Sequence, residues 1–94
     1  MKSYFEAKNA KEICKLLGLP VSEAPKIEMR TQLVMAIKRA IERNKLTHAQ
    51  AAVKADVGRT VITAIVNGNL ESVSTDRLID VAHNLGLKVQ LKVA

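Results

Sequence analysis

The sequence predicts an all-α fold, a bundle of about five helices ending in a single C-terminal β-strand that pairs across a dimer. Three observations carry this expectation. Apolar residues recur at helical spacing in five separate segments, and Ser, Thr, Gly and Pro stand where those segments should start and stop. Strict two-residue alternation occurs once, in the last residues of the chain.

The first periodic segment runs from about Ala7 to Leu17, with Ala10, Ile13, Leu16 and Leu17 on one stripe and Lys8, Lys11, Glu12 and Lys15 elsewhere. Gly18 and Pro20 end it. The connector "LPVSEAPK" offers Ser22 as an N-cap and Pro25 for a first helical turn. From about Glu23 to Asn44 lies the longest helix, apolar at Ile27, Leu33, Ile37, Ala40 and Ile41 and charged at Lys38, Arg39, Glu42 and Arg43. Thr47 suits the N-cap of a third helix reaching Ala55, because its hydroxyl can accept from an otherwise unpaired first-turn amide. Asp56 to Gly58 make a tight turn, and a fourth helix starts near Arg59 and stops before Asn67-Gly68. Ser74 caps the last helix, which has Asp76 in its first turn, a stripe of Leu78, Ile79, Ala82 and Leu85, and a stop at Gly86.

The ending "LKVQLKV" sets Leu87, Val89, Leu91 and Val93 against Lys88, Gln90 and Lys92. A single strand has no backbone partner within its own chain, so this one is expected to pair outside it. The partner is either a second copy of the strand across a two-fold axis or a strand of a different protein. Residues 1–27 are read as an N-terminal amphipathic helix and linker, and residues 28–94 as the domain that carries function and dimerisation.

Composition narrows the function classes. The apolar residues are aliphatic apart from Tyr4 and Phe5, so the core should be Leu, Ile, Val and Ala. Cys14 is alone, and His48 and His83 stand far apart, so neither a disulfide nor a zinc site is expected. There is no nucleophile with a base at motif spacing, no glycine-rich phosphate loop and no carboxylate cluster, which points away from an enzyme and from any cofactor. With no apolar run of membrane-spanning length and no signal-peptide pattern, a soluble cytoplasmic chain without a membrane partner is expected. The formal net charge of +6 favours an acidic partner, and the middle of the chain is its basic part. Between Arg30 and Arg59, seven basic residues face Glu42 and Asp56 alone.

Two short helices joined by about three residues make the segment from Thr47 to Asn67 a helix-turn-helix candidate. At about 100° per residue, Ile62, Ile65 and Val66 share the inner face of the second helix, and Thr60, Val61, Thr63, Ala64 and Asn67 spread over the outer one. Small and polar residues suit close approach to a DNA groove, while flanking cations supply the phosphate contacts that set affinity.

The segment "LTHAQAAVKADVGRTVITAIVNG" resembles the lambda-repressor/Cro type of helix-turn-helix found in the XRE family of bacterial regulators. Leu46-Thr47 match its opening pair, Ala52 its small residue at the helix crossing, and Val57 its apolar turn residue. Ile62 and Ile65 match its buried positions, and Asn67-Gly68 its closing pair. The stretch "SVSTDRLIDVAHNLGLKVQLKV" is similar to the ending of HigA-like antitoxins in that family. The family often has Gln where His48 stands, Gly where Asp56 stands and Ser where Gly58 stands.

The resemblance implies a lambda-repressor-like helix-turn-helix bundle, and a protein that represses its own operon while neutralising a cognate toxin. Arg59 is the expected specific contact, to a guanine edge or else to a phosphate; Thr60 and Thr63 can hydrogen-bond bases, and Val61 or Ala64 can pack on a thymine methyl. Arg43, Lys45, His48, Lys54, Gly58, Asn67 and Asn69 are the phosphate-contact candidates. The expected partners are double-stranded DNA carrying an inverted-repeat operator, a second copy of the chain, and a toxin protein; a free-standing regulator without a toxin is the alternative. The segment before Glu28 either packs back on its own core or occupies a toxin surface.

Overall fold

The computed structural model describes residues 9–93. They form five α-helices: α1 (Ala10–Leu17), α2 (Ala24–Arg43), α3 (His48–Ala55), α4 (Arg59–Val66) and α5 (Thr75–Asn84). The expected start of α1 at Ala7 and Lys8, and the aromatics Tyr4 and Phe5, lie outside the described residues.

Side-chain caps set the starts of α1, α3 and α5. Asn9 accepts from the Glu12 amide at 2.9 Å, and Ser74 accepts from the Arg77 amide at 3.2 Å. Thr47 accepts from the Gln50 amide at 3.1 Å, and the Gln50 side chain accepts from the Thr47 amide at 2.9 Å, a reciprocal pair that satisfies two orphan donors. The start of α2 differs from the sequence expectation. Ser22 is not its cap: it lies inside a 3₁₀ turn, Val21–Glu23, that runs straight into the helix. Pro25 in the first turn removes one of the amides a cap would have served.

All five helices end in the same reversal. One residue turns left-handed, its amide bonds back three residues, and the following amide bonds back five. Asn69 N–H to Ala64 O at 2.8 Å and Gly68 N–H to Ile65 O at 3.0 Å close α4 in this way. Glycine takes the left-handed position after α1, α4 and α5, whereas Lys45 (φ 53°) and Asp56 (φ 57°) take it after α2 and α3.

One aliphatic core joins the helices. Ile27, Val34, Ile37 and Ile41 of α2 meet Ala51, Ala52 and Ala55 of α3, Ile62 and Ile65 of α4, and Leu78, Val81 and Ala82 of α5. Three alanines on one face let α3 lie close to α4 and α5. Ile13 and Cys14 bring α1 into the same core, and α1 packs against α2. The buried stripes are rotated slightly from those expected. Cys14 is buried while Leu16 is 41% exposed, and Val81 is buried while Ile79 is 37% exposed. Val34 is buried and Leu33 only half-buried.

Past Gly86 the chain takes no regular secondary structure over residues 87–93. Leu87 is half-buried against the core and its amide bonds to Ala82 O at 3.0 Å, whereas Val89, Leu91 and Val93 are exposed. Val89 and Leu91 line a groove of ≈ 280 Å³ with Met29, Leu33 and Ile79.

Candidate nucleic-acid interface

The two helices of the candidate motif, α3 and α4, pack against each other across the Asp56–Val57–Gly58 turn. Asp56 holds the left-handed conformation that glycine often supplies there, and Asp and Asn tolerate it better than other side chains because they hydrogen-bond locally. Val57 is half-buried and packed on the core, which fixes the turn from beneath. Asn84 Nδ2 donates to Ala55 O at 2.9 Å, tying α5 to the last turn of α3.

Gly58 stands at the N-cap of α4 with φ −69° and ψ 152° and makes no side-chain cap bond. The first amides of α4 are therefore available to an anion, and the positive end of the helix dipole favours one there. Ile62 and Ile65 are fully buried, so the rotation of α4 about its axis is fixed by the core.

That rotation turns one row outward. Arg59, Thr60, Thr63, Ala64, Asn67 and Asn69 line a single open hollow of ≈ 420 Å³. Arg59, Thr60, Asn67 and Asn69 are exposed, and Thr63 and Ala64 are half-buried. The structure thus brings together four of the five expected base readers and two of the expected phosphate contacts. The fifth reader, Val61, is half-buried against the core and does not line the hollow. Val66, expected on the inner face, is half-buried.

His48, the first residue of α3, is half-buried, and its Nδ1 lies 3.1 Å from Oγ1 of Thr63. Two expected contacts therefore meet each other across the motif. Arg43, Lys45 and Lys54 are exposed on the end of α2, the following turn and α3. Among the described residues, neither these three nor Arg59 is paired with a carboxylate. Their charge is free to act on solvent or on a ligand.

Sequence reasoning missed one residue here, Gln50, and one backbone role, that of Asn69. Gln50 completes the cap of α3, and the Thr47-x-x-Gln50 spacing is the signal that could have revealed it. Asn69 donates its backbone amide to close α4 as well as lining the hollow, a role that Asn-Gly-Asn after a helix could have suggested. Among the described residues no group of His, Cys, Asp and Glu could hold a metal ion, and no helix is long and apolar enough to cross a membrane.

Comparison with known proteins agrees with this geometry at the level of the motif. Residues 18–94 match a family model described as a helix-turn-helix domain, a match that begins directly after α1. No curated protein and no solved structure matches the chain.

Proposed function

We infer, from the premise that this chain belongs to the helix-turn-helix domain family, that it is a sequence-specific DNA-binding repressor acting as a homodimer on an inverted repeat. The observation that carries this reading is the outward row of α4, small and polar around one arginine that, among the described residues, has no carboxylate partner. In this reading α4 enters the major groove. Arg59 pairs with guanine O6 and N7, Thr60 and Thr63 meet base edges, and Ala64, bordered by Val61, packs on a thymine methyl. Arg43, Lys45, Lys54, Asn67, Asn69 and the amide end of α4 at Gly58 hold phosphates and fix the register, and His48 is a further phosphate candidate whose Nδ1 already faces Thr63.

Leu87, Val89, Leu91 and Val93 form the dimerisation strand. Its alternating pattern, the exposure of its last three apolar residues and the adjacent apolar groove support pairing with a second copy. Dimeric readers of this kind bind half-sites about one helical turn apart.

The finer role is that of a cytoplasmic antitoxin that represses its own operon, supported by the resemblance of residues 72–93 to HigA-like endings. Leu16, Leu19 and Val21, exposed by 41%, 39% and 60% on one short stretch after the buried face of α1, are the apolar residues available to a toxin. A free-standing regulator is the alternative. A toxin-like reading frame beside the gene that co-purifies with the chain supports the antitoxin; its absence leaves the free-standing regulator.

Selection from a randomised duplex library tests the main reading. Bound sequences should converge on an inverted repeat, and a pool without enrichment would sink the assignment.

A further inference from the structure

Thr63 lines the hollow on α4, yet its Oγ1 lies 3.1 Å from Nδ1 of His48, fifteen residues earlier in the chain. A helical threonine commonly has a nearer choice. Its side chain divides between two rotamers because the hydroxyl can donate to the carbonyl four residues back. Thr31 does this in α2, donating to Ile27 O at 2.8 Å. The Thr63 hydroxyl instead meets a side chain of another helix.

The difference matters for reading. A threonine hydroxyl carries one proton and two lone pairs, so left to rotate it pairs with base donors and acceptors alike and discriminates little. The bond to Nδ1 occupies one of those positions and fixes where the oxygen sits, whichever ring nitrogen carries the proton. It also engages Nδ1 of a half-buried ring, so that only Nε2 remains for anything else.

We propose that His48 is a positioning residue: its imidazole fixes the hydroxyl of Thr63 and thereby sets the base preference at the one base pair Thr63 faces. This rests on the DNA-binding reading above. It gives His48 a task distinct from a phosphate contact, and the two tasks predict different data.

The experiment uses the full chain and a randomised duplex library, sequencing the bound pool for the wild type, His48→Phe, His48→Asn, Thr63→Val and the His48→Phe/Thr63→Val double variant. Phenylalanine keeps a ring without Nδ1, and the asparagine amide reaches close to where Nδ1 stands. His48→Phe should lose discrimination by roughly threefold to tenfold, the size of one net hydrogen bond, at a single position in each half-site. Thr63→Val should lose it at the same position, the double variant should be no worse than Thr63→Val, and His48→Asn should retain it. His48→Leu repeats the test if His48→Phe does not fold.

Uniform weakening over all sequences, with preferences unchanged, would mark a phosphate contact and overturn the proposal. Unchanged preferences in a folded His48→Phe protein would also overturn it. If the wild type enriches no sequence, the DNA-binding reading falls first and takes this one with it.

Discussion

Lys45 holds two roles that can be measured apart. It occupies the left-handed turn after α2 with φ 53°, a conformation that costs a side chain with a Cβ, and it is an exposed cation in the turn that leads into α3. Lys45→Gly should raise unfolding stability by about 0.5–1 kcal/mol, the relieved strain less the extra backbone freedom of glycine. The same variant should weaken DNA binding and reduce the slope of log K against log salt by about 0.9 if the ammonium neutralises one phosphate. A stabler protein with unchanged salt dependence would remove Lys45 from the interface. Arg59 should behave differently. Arg59→Ala should cost about 1–3 kcal/mol on the selected site and much less on unrelated DNA, read by fluorescence anisotropy. An equal loss on both would make it a phosphate contact.

At the scale of the element, α4 is fixed from below by Ile62 and Ile65 and closed at its end by the Gly68 reversal at φ 73°. Gly68→Ala should destabilise the protein by about 0.5–1 kcal/mol in a denaturant titration, the left-handed penalty of a side chain there less the backbone freedom that alanine no longer has to lose. An unchanged midpoint would show that the reversal can re-form without it. These starts and stops were legible in the sequence because caps and left-handed ends are written within a few residues of where they act: Thr47, Ser74, Gly18 and Gly86 stand where expected. The buried faces were less legible. At 100° per residue, Leu16 and Cys14, or Ile79 and Val81, border the same stripe, and only the position of the neighbouring helix decides which goes inside. In the candidate site, the outward placing of Thr60, Thr63, Ala64 and Asn67 followed from the period of the helix, which also put Val61 there although it packs against the core. The meeting of His48 with Thr63 did not, since it depends on how α3 crosses α4. Nor did the continuous entry through the 3₁₀ turn that left Ser22 without a capping role.

For the molecule as a whole, the ending beyond α5 is the segment on which the proposed pairing rests. Leu91 and Val93 are 79% and 85% exposed, so replacing both with Lys should leave the fold of one chain intact while breaking the proposed pairing. Sedimentation should report monomers for that variant and dimers for the wild type, with the circular-dichroism melt still cooperative. A dimeric variant would move the interface elsewhere. How much depends on that pairing follows from the length of α4. Eight residues make a rod about 12 Å long, enough to span roughly three or four base pairs. Four fully specified base pairs recur by chance about once in 256 positions, too often to mark a single address among the competing sites of a genome. Two copies held at fixed spacing read about eight, which recur roughly once in 65,000. If the ending after α5 makes the proposed pairing, it contributes as much information to the choice of site as α4 does, without touching a base.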